Sequence, residues 1–166
     1  MKGSLVLDEE TIRKKIKRIA YEIFERHFDQ EELILIGICD KGYPLARIIK
    51  EELEALSPIK IRLVQLNIDK LDPTNSKVEL SEDVKNFSDK PVILVDDVMN
   101  TASTLMYSLK PFLHIPVSKI EVAVLVNRSH TKYPILPSYT GYELSTTLEE
   151  HIDFVINDSE LKVYLR

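Results

Sequence analysis

Residues 92 to 105 read VILVDDVMNTASTL: four apolar residues, two adjacent acids, then small hydroxyl-bearing residues before the next apolar pattern. A short unbroken apolar run has the pattern of a strand buried on both faces. Ending it on Asp96 and Asp97 puts two carboxylates at the strand's carboxyl end. Neighbouring strand residues point to opposite faces, so the two side chains are expected to diverge. That arrangement suits two hydroxyls of one sugar, or a hydroxyl and a metal-bound water, and suits a shared-proton dyad poorly. Asn100, Thr101, Ser103 and Thr104 follow, around a turn entering a helix. Their hydroxyls and backbone N–H groups could ring a phosphate, helped by the helix dipole. A plain capping turn would use Thr101 or Ser103 equally well.

The flanking pattern decides which sheet this strand joins. LILIGI (33–38), IKIRLVQL (59–66) and KIEVAVLV (119–126) read as further strands. Between them lie helical periodicities. Asp8 is placed to cap a first helix whose apolar face is Ile12, Ile16, Ile19 and Ile23. Gly42 and Pro44 open a second, with Leu45, Ile48, Ile49, Leu53 and Leu56. A third is expected from Thr104 to His114, bent or shortened by Pro111. Residues 67–91 are largely polar, with Pro73 and many acids, a long excursion of the kind that is functional or mobile. HIDFVINDSELKVYLR alternates on both sides of Asn157-Asp158-Ser159, the signature of a terminal strand pair. Strand–helix alternation implies an α/β fold: a mostly parallel twisted sheet flanked by helices. Such sheets bind ligands beyond the carboxyl ends of their strands, where the strand order reverses. Both GICDKG (37–42) and DDVMNTAST (96–104) fall at such ends.

The 166 residues fit one domain, 1–166, with 44% hydrophobic and 30% charged residues, an ordinary soluble composition. No apolar run is long enough to span a membrane, and the start MKGSLVLDEE carries no secretory pattern. A single cysteine, Cys39, leaves no internal disulfide and fits a cytoplasmic protein. The net charge of −5 argues against broad nucleic-acid binding. Arg13, Lys14, Lys15, Lys17 and Arg18 form a local basic cluster, either the wet face of the first helix or a face for RNA. His27, His114 and His151 have no metal-ligand spacing. Tyr133, Tyr139 and Tyr142, close to prolines, are expected to pack the terminal strands over the sheet.

The 92–105 stretch resembles the phosphoribosyl-pyrophosphate motif of the type I phosphoribosyltransferases: an apolar strand, two acids, a short spacer and Thr-Gly-x-Thr. AVLVNRSHTKYPILPSYTGYELST (123–146) and LIGICDKGYPLA (35–46) are similar to one branch, the bifunctional pyrimidine-operon attenuator/uracil phosphoribosyltransferases. The resemblance implies that family's fold and the transfer of a phosphoribosyl group from phosphoribosyl pyrophosphate to a nucleobase, with uracil as the implied acceptor. The products would be a nucleoside monophosphate and pyrophosphate. It also implies Mg²⁺ on the donor diphosphate, a homo-oligomer such as a dimer, and, as an alternative role, nucleotide-responsive RNA binding. A catalytically weak nucleotide sensor is a further alternative.

Residue by residue, Asp96 and Asp97 would hold the ribose hydroxyls, with Asp97 steadying charge at the sugar. Asn100, Thr101, Ala102, Ser103 and Thr104 would surround the 5′-phosphate. Cys39, Asp40, Lys41 and Gly42 would form the pyrophosphate loop, and Arg128 and His130 would lie near the base or nucleotide. Residues 67–91 would be a mobile hood. This chain departs from the pattern at Ala102, where relatives carry Gly, and at Ser103, Asn127 and Ser129. If position 102 needs a left-handed backbone, Ala there costs on the order of 1 kcal/mol. NIDKLDPTNSKVELSEDVKN (67–86) holds no arginine, and Lys70 and Lys77 are its basic residues before Lys85. Its acids would repel an anionic donor unless a cation intervened.

Overall fold

The computed structural model describes residues 3–166, so the first two residues of the expected 1–166 unit lie outside it. Two sheets form (element numbering follows the chain). The larger has six strands among the described residues, in the order β4-β3-β2-β5-β6-β7: Glu79–Leu80, Lys60–Asn67, Glu32–Ile38, Pro91–Met99, Lys119–Asn127 and Tyr139–Glu143. All neighbours are parallel except β4, which runs antiparallel to β3. The smaller sheet joins β1 (Ser4–Leu7) to β9 (Glu160–Leu165) and β8 (Ile152–Asn157), all antiparallel. The chain travels outward from β2 to β3 and then returns to β5 on the other side of β2. The carboxyl ends of β2 and β5 therefore flank the point where strand order reverses.

Period-2 alternation divides the core into two layers. Odd positions (Leu33, Leu35, Ile93, Val95, Ala123, Leu125) pack with helices α1 (Glu9–His27) and α2 (Cys39–Leu56) and with Phe154 and Val163 of the small sheet. Even positions (Ile34, Ile36, Val92, Leu94, Val122, Val124) pack with Phe87, Leu105 and Phe112 on the other face. The Asp8 carboxylate accepts from the Thr11 N–H at 2.8 Å, capping α1 as its sequence predicts. Ile12, Ile16, Ile19 and Ile23 are all buried against the sheet.

Several elements differ from the pattern reading. α2 begins at Cys39, so Gly42 and Pro44 lie inside its first turns instead of opening it. The third helix, α3, is only Ser103–Ser108; a 3₁₀ turn over Lys110–Phe112 replaces the rest, because Pro111 lacks the N–H that a longer helix needs. β7 was hidden among prolines and tyrosines, and β1 was too short to show a period. Tyr139 and Tyr142 join the core that holds the terminal strands, whereas Tyr133 packs edge-on against Tyr107 with the other layer. The excursion after β3 folds back as β4 on the edge of the sheet and a 3₁₀ turn at Val84–Phe87. The basic cluster on α1 is laced with acids: Arg13 pairs with Glu9, Lys14 with Glu10 and Arg18 with Glu22. No helix among the described residues is long and apolar enough to cross a membrane.

One buried polar group stitches α1 to the far strands. Glu121 of β6, 4% exposed, accepts from the Tyr139 hydroxyl at 3.1 and 3.0 Å and meets buried His27. Burial would raise the Glu121 pKa, but the hydrogen bond and charge of His27, then Tyr139 and Lys119, outweigh it and hold it down to about 2. A carboxylate depressed on folding stabilises the protein above its unfolded pKa of about 4.5 and loses that contribution as pH falls toward its folded value. Glu121→Ala, which strands His27 and the Tyr139 hydroxyl, is expected to destabilise by about 3 kcal/mol in urea unfolding near neutral pH. Glu121→Gln should flatten the loss of stability between about pH 5 and pH 2.

Candidate functional site

β5 delivers Asp96 and Asp97 to the reversal point, where they are 2% and 8% exposed. They line a cavity of about 480 Å³ together with Lys41, Lys70, residues 98–105 and Ile152. The expected divergence of the two carboxylates is not what the structure shows. The Lys70 ammonium lies 2.8 Å from Asp96 Oδ1 and 3.5 Å from Asp97 Oδ1, so both acids converge on one cation. Asp96 also folds back over its own strand, accepting from the Asp97 N–H at 2.9 Å. Burial and the charge of Asp97 act to raise the Asp96 carboxyl, but the Lys70 ammonium and the Asp97 N–H both donate to its Oδ1, an arrangement that favours the ionised form. Burial favours the neutral amine of Lys70, but the charges of Asp96 and Asp97 overcome this and keep the ammonium protonated.

The turn after the acids is built as a tight bowl. Ala102 adopts φ 68°, ψ 12°, a left-handed conformation that disfavours any side chain. The Thr101 hydroxyl accepts from the Ser103 N–H at 3.2 Å, but Ala102 stands at the N-cap of α3 with no side-chain cap, so neither Thr101 nor Ser103 caps the helix. Thr101, Ala102, Ser103 and Thr104 all face the cavity, as does Asn100.

Of the GICDKG segment, Lys41 reaches the cavity wall, where its ammonium lies 3.0 Å from Asp153 Oδ1 of β8. Asp40 is exposed and off the cavity, and the Cys39 thiol donates to the Ile68 carbonyl at 3.2 Å, from a left-handed backbone at φ 54°. Gly42 is buried; a Cβ on it would stand 2.5 Å from the Val95 carbonyl oxygen. Arg128 does not line the cavity. It is 7% exposed and donates to Asn100 Oδ1, Thr146 Oγ1 and the carbonyls of Thr147 and Glu150 at 2.7 to 3.0 Å. His130 Nε2 lies 3.0 Å from the Thr146 carbonyl oxygen. These two residues therefore bind the 144–150 segment to the site's edge, and Arg128 reaches the cavity only through Asn100. Pattern reading did not find Ile152 and Asp153, which enter from the small sheet. Lys70 was visible only as a basic residue in an acidic segment.

The sequence matches the phosphoribosyl transferase domain over residues 4–158. The chain belongs to the phosphoribosyltransferase family. It is 30% identical to the Bifunctional protein PyrR of Clostridium kluyveri, over 97% of either chain. It is 35% identical to the Bifunctional protein PyrR of Streptococcus pneumoniae (strain CGSP14), over 92% of this chain and 89% of that one. A crystal structure of a hypoxanthine-guanine phosphoribosyltransferase from Bacillus anthracis shares the fold, with a TM-score of 0.78 at 19% identity over 99% and 98% of the two chains. As a phosphoribosyltransferase this chain is a pentosyltransferase, an enzyme of nucleotide metabolism.

Among the described residues no group of three or more His, Cys, Asp or Glu side chains is gathered to cage a metal. Asp96 and Asp97, whose Oδ1 atoms both lie within 3.5 Å of the Lys70 ammonium, form a donor set that would suit a cation such as Mg²⁺ carried in with substrate phosphate oxygens.

Two substitutions test this geometry. Ala102→Val puts a β-branched residue at φ 68° and is expected to destabilise by about 2 kcal/mol in denaturant unfolding. Arg128→Met should leave Asn100 and two carbonyls without donors. Faster amide hydrogen exchange is expected at residues 144–150, with little change in β2 or β3.

Proposed function

We propose that this phosphoribosyltransferase moves the phosphoribosyl group of phosphoribosyl pyrophosphate to a pyrimidine base, with uracil as the acceptor, and releases pyrophosphate. The observation that carries the proposal is the joining, in one cavity, of two buried carboxylates and a left-handed, hydroxyl-rich turn at the point where strand order reverses. The choice of a pyrimidine is supported by likeness to the PyrR chains over nearly the whole length and by the motifs at 35–46 and 123–146.

Breaking the bond at C1 of the ribose develops positive charge on the sugar and negative charge on the leaving diphosphate. Asp96 and Asp97 accept the ribose hydroxyls, which fixes the ring, and the nearby negative charge of Asp97 favours the cationic sugar. Thr101, Ser103 and Thr104 supply hydroxyls, and the turn's backbone supplies N–H donors, for the 5′-phosphate. Lys41 and Lys70 are the cavity-lining cations for the diphosphate. When bound to the donor, Mg²⁺ supplies further positive charge to the leaving group. Ile152 offers the base ring an apolar wall. Arg128 positions Asn100 and the 144–150 segment and touches no substrate itself.

The test is pyrophosphate release measured with uracil and with the purine bases, with and without Mg²⁺. Release with uracil that requires Mg²⁺ is expected, and a folded sample that turns over no base would defeat the proposal. Asp97→Asn keeps the shape of the side chain and is expected to lower kcat/KM by about 100-fold or more. Unchanged kinetics would mean that Asp97 has no part in the chemistry.

A further inference from the structure

Two carboxylates leaving adjacent positions of one strand, both nearly closed to solvent, need a compensating charge. Here the protein provides it. Lys70 Nζ stands 2.8 Å from Asp96 and 3.5 Å from Asp97, and Lys41, the other cation on the wall, is held 3.0 Å from Asp153. The acids are built into β5, with side chains 3% and 11% exposed, whereas the Lys70 side chain is 37% exposed on the segment after β3. The ammonium is thus the partner that can leave, swinging on a flexible four-carbon stem. Its loop is anchored independently of that contact. The Asp69 N–H donates to Ser76 Oγ at 2.8 Å, the Leu71 N–H to Asp69 Oδ1 at 2.9 Å, and Lys110 Nζ to the Thr74 carbonyl at 3.1 Å.

We propose that Lys70 is a resident counter-ion of the acid pair, exchanged when a divalent cation and a sugar diphosphate arrive together. In the donor-free protein it keeps bare divalent cations off Asp96 and Asp97. Once displaced, it remains on the wall of the same cavity, where it becomes a cation for the diphosphate in a segment that contains no arginine. Only the identity of the displacing molecule rests on the proposed transfer reaction. The occupancy of the acid pair by Lys70 does not.

Mn²⁺ titration of the full chain by calorimetry, with no sugar phosphate present, tests this without any turnover. Lys70→Met is expected to bind Mn²⁺ at least about tenfold more tightly than the unsubstituted chain, because one positive charge has left the carboxylates. Adding Asp97→Asn to that variant should remove the gain. Equal Mn²⁺ affinity with and without Lys70 would overturn the proposal. Should Lys70→Met fail to fold, the unsubstituted chain with ¹⁵N-labelled lysine answers the same question. Its Lys70 ammonium resonance is expected to be protected from exchange and to shift when phosphoribosyl pyrophosphate and Mg²⁺ are added together. A resonance that neither is protected nor moves would equally overturn it.

Discussion

The close approach of α2 to β5 governs the site. Gly42 packs so near the β5 backbone that a Cβ would stand 2.5 Å from the Val95 carbonyl oxygen and 3.3 Å from the Asp96 Cα. A side chain there would push the helix away from the strand, and with it Lys41 and the cavity wall. Because β2 and β5 are parallel neighbours in register, this one contact aligns the start of α2 with the acids near the carboxyl end of β5. The small sheet closes another side through Ile152, and Asp153 beside it holds Lys41. The cavity is thus assembled from four stretches that are far apart in sequence (the start of α2, the segment after β3, β5 with the turn that follows it, and β8) and meet only because of strand order.

Charge inside the cavity is balanced internally. Each lining lysine has a carboxylate partner, Lys70 with the acid pair and Lys41 with Asp153. A site arranged in this way is less strained without substrate than two bare buried carboxylates would be. It also means that an anionic donor must take cations already engaged elsewhere. The acids of residues 67–86, which looked hostile to a diphosphate in the sequence, are partly occupied in shaping their own loop: Asp69 caps Leu71 and Asp72 binds Asn75. Glu79 and Glu82 are ion-paired, with Lys77 at 3.3 Å and Arg62 at 3.5 Å, which offsets part of the segment's negative charge.

The departures from the family pattern acquire physical meaning in the structure. Ala102 accepts a left-handed backbone that Gly would adopt freely, and its buried methyl joins the core beside Leu105. Asn127 and Ser129 both bind Glu143 at the end of β7, so they brace the strand edge and the segment beyond it. Arg128 serves as a clamp on that segment, with Nε, Nη1 and Nη2 all donating.

From the sequence alone came the parallel α/β architecture, the four central strands, the capped first helix, the terminal strand pair and the acid pair with its hydroxyl turn. These are legible because each depends on local periodicity or on residue types within a few positions. The short strands β1, β4 and β7 escaped, since two to five residues carry too little pattern to mark a period and are stabilised by the partner they pair with. Only the tertiary structure decided that Lys70 bridges the acids, that Arg128 turns away from the cavity, that Ile152 enters it and that Asp153 holds Lys41. The two lysine–carboxylate pairings join residues 26 and 112 positions apart, and Coulomb attraction and burial act through space, not along the chain.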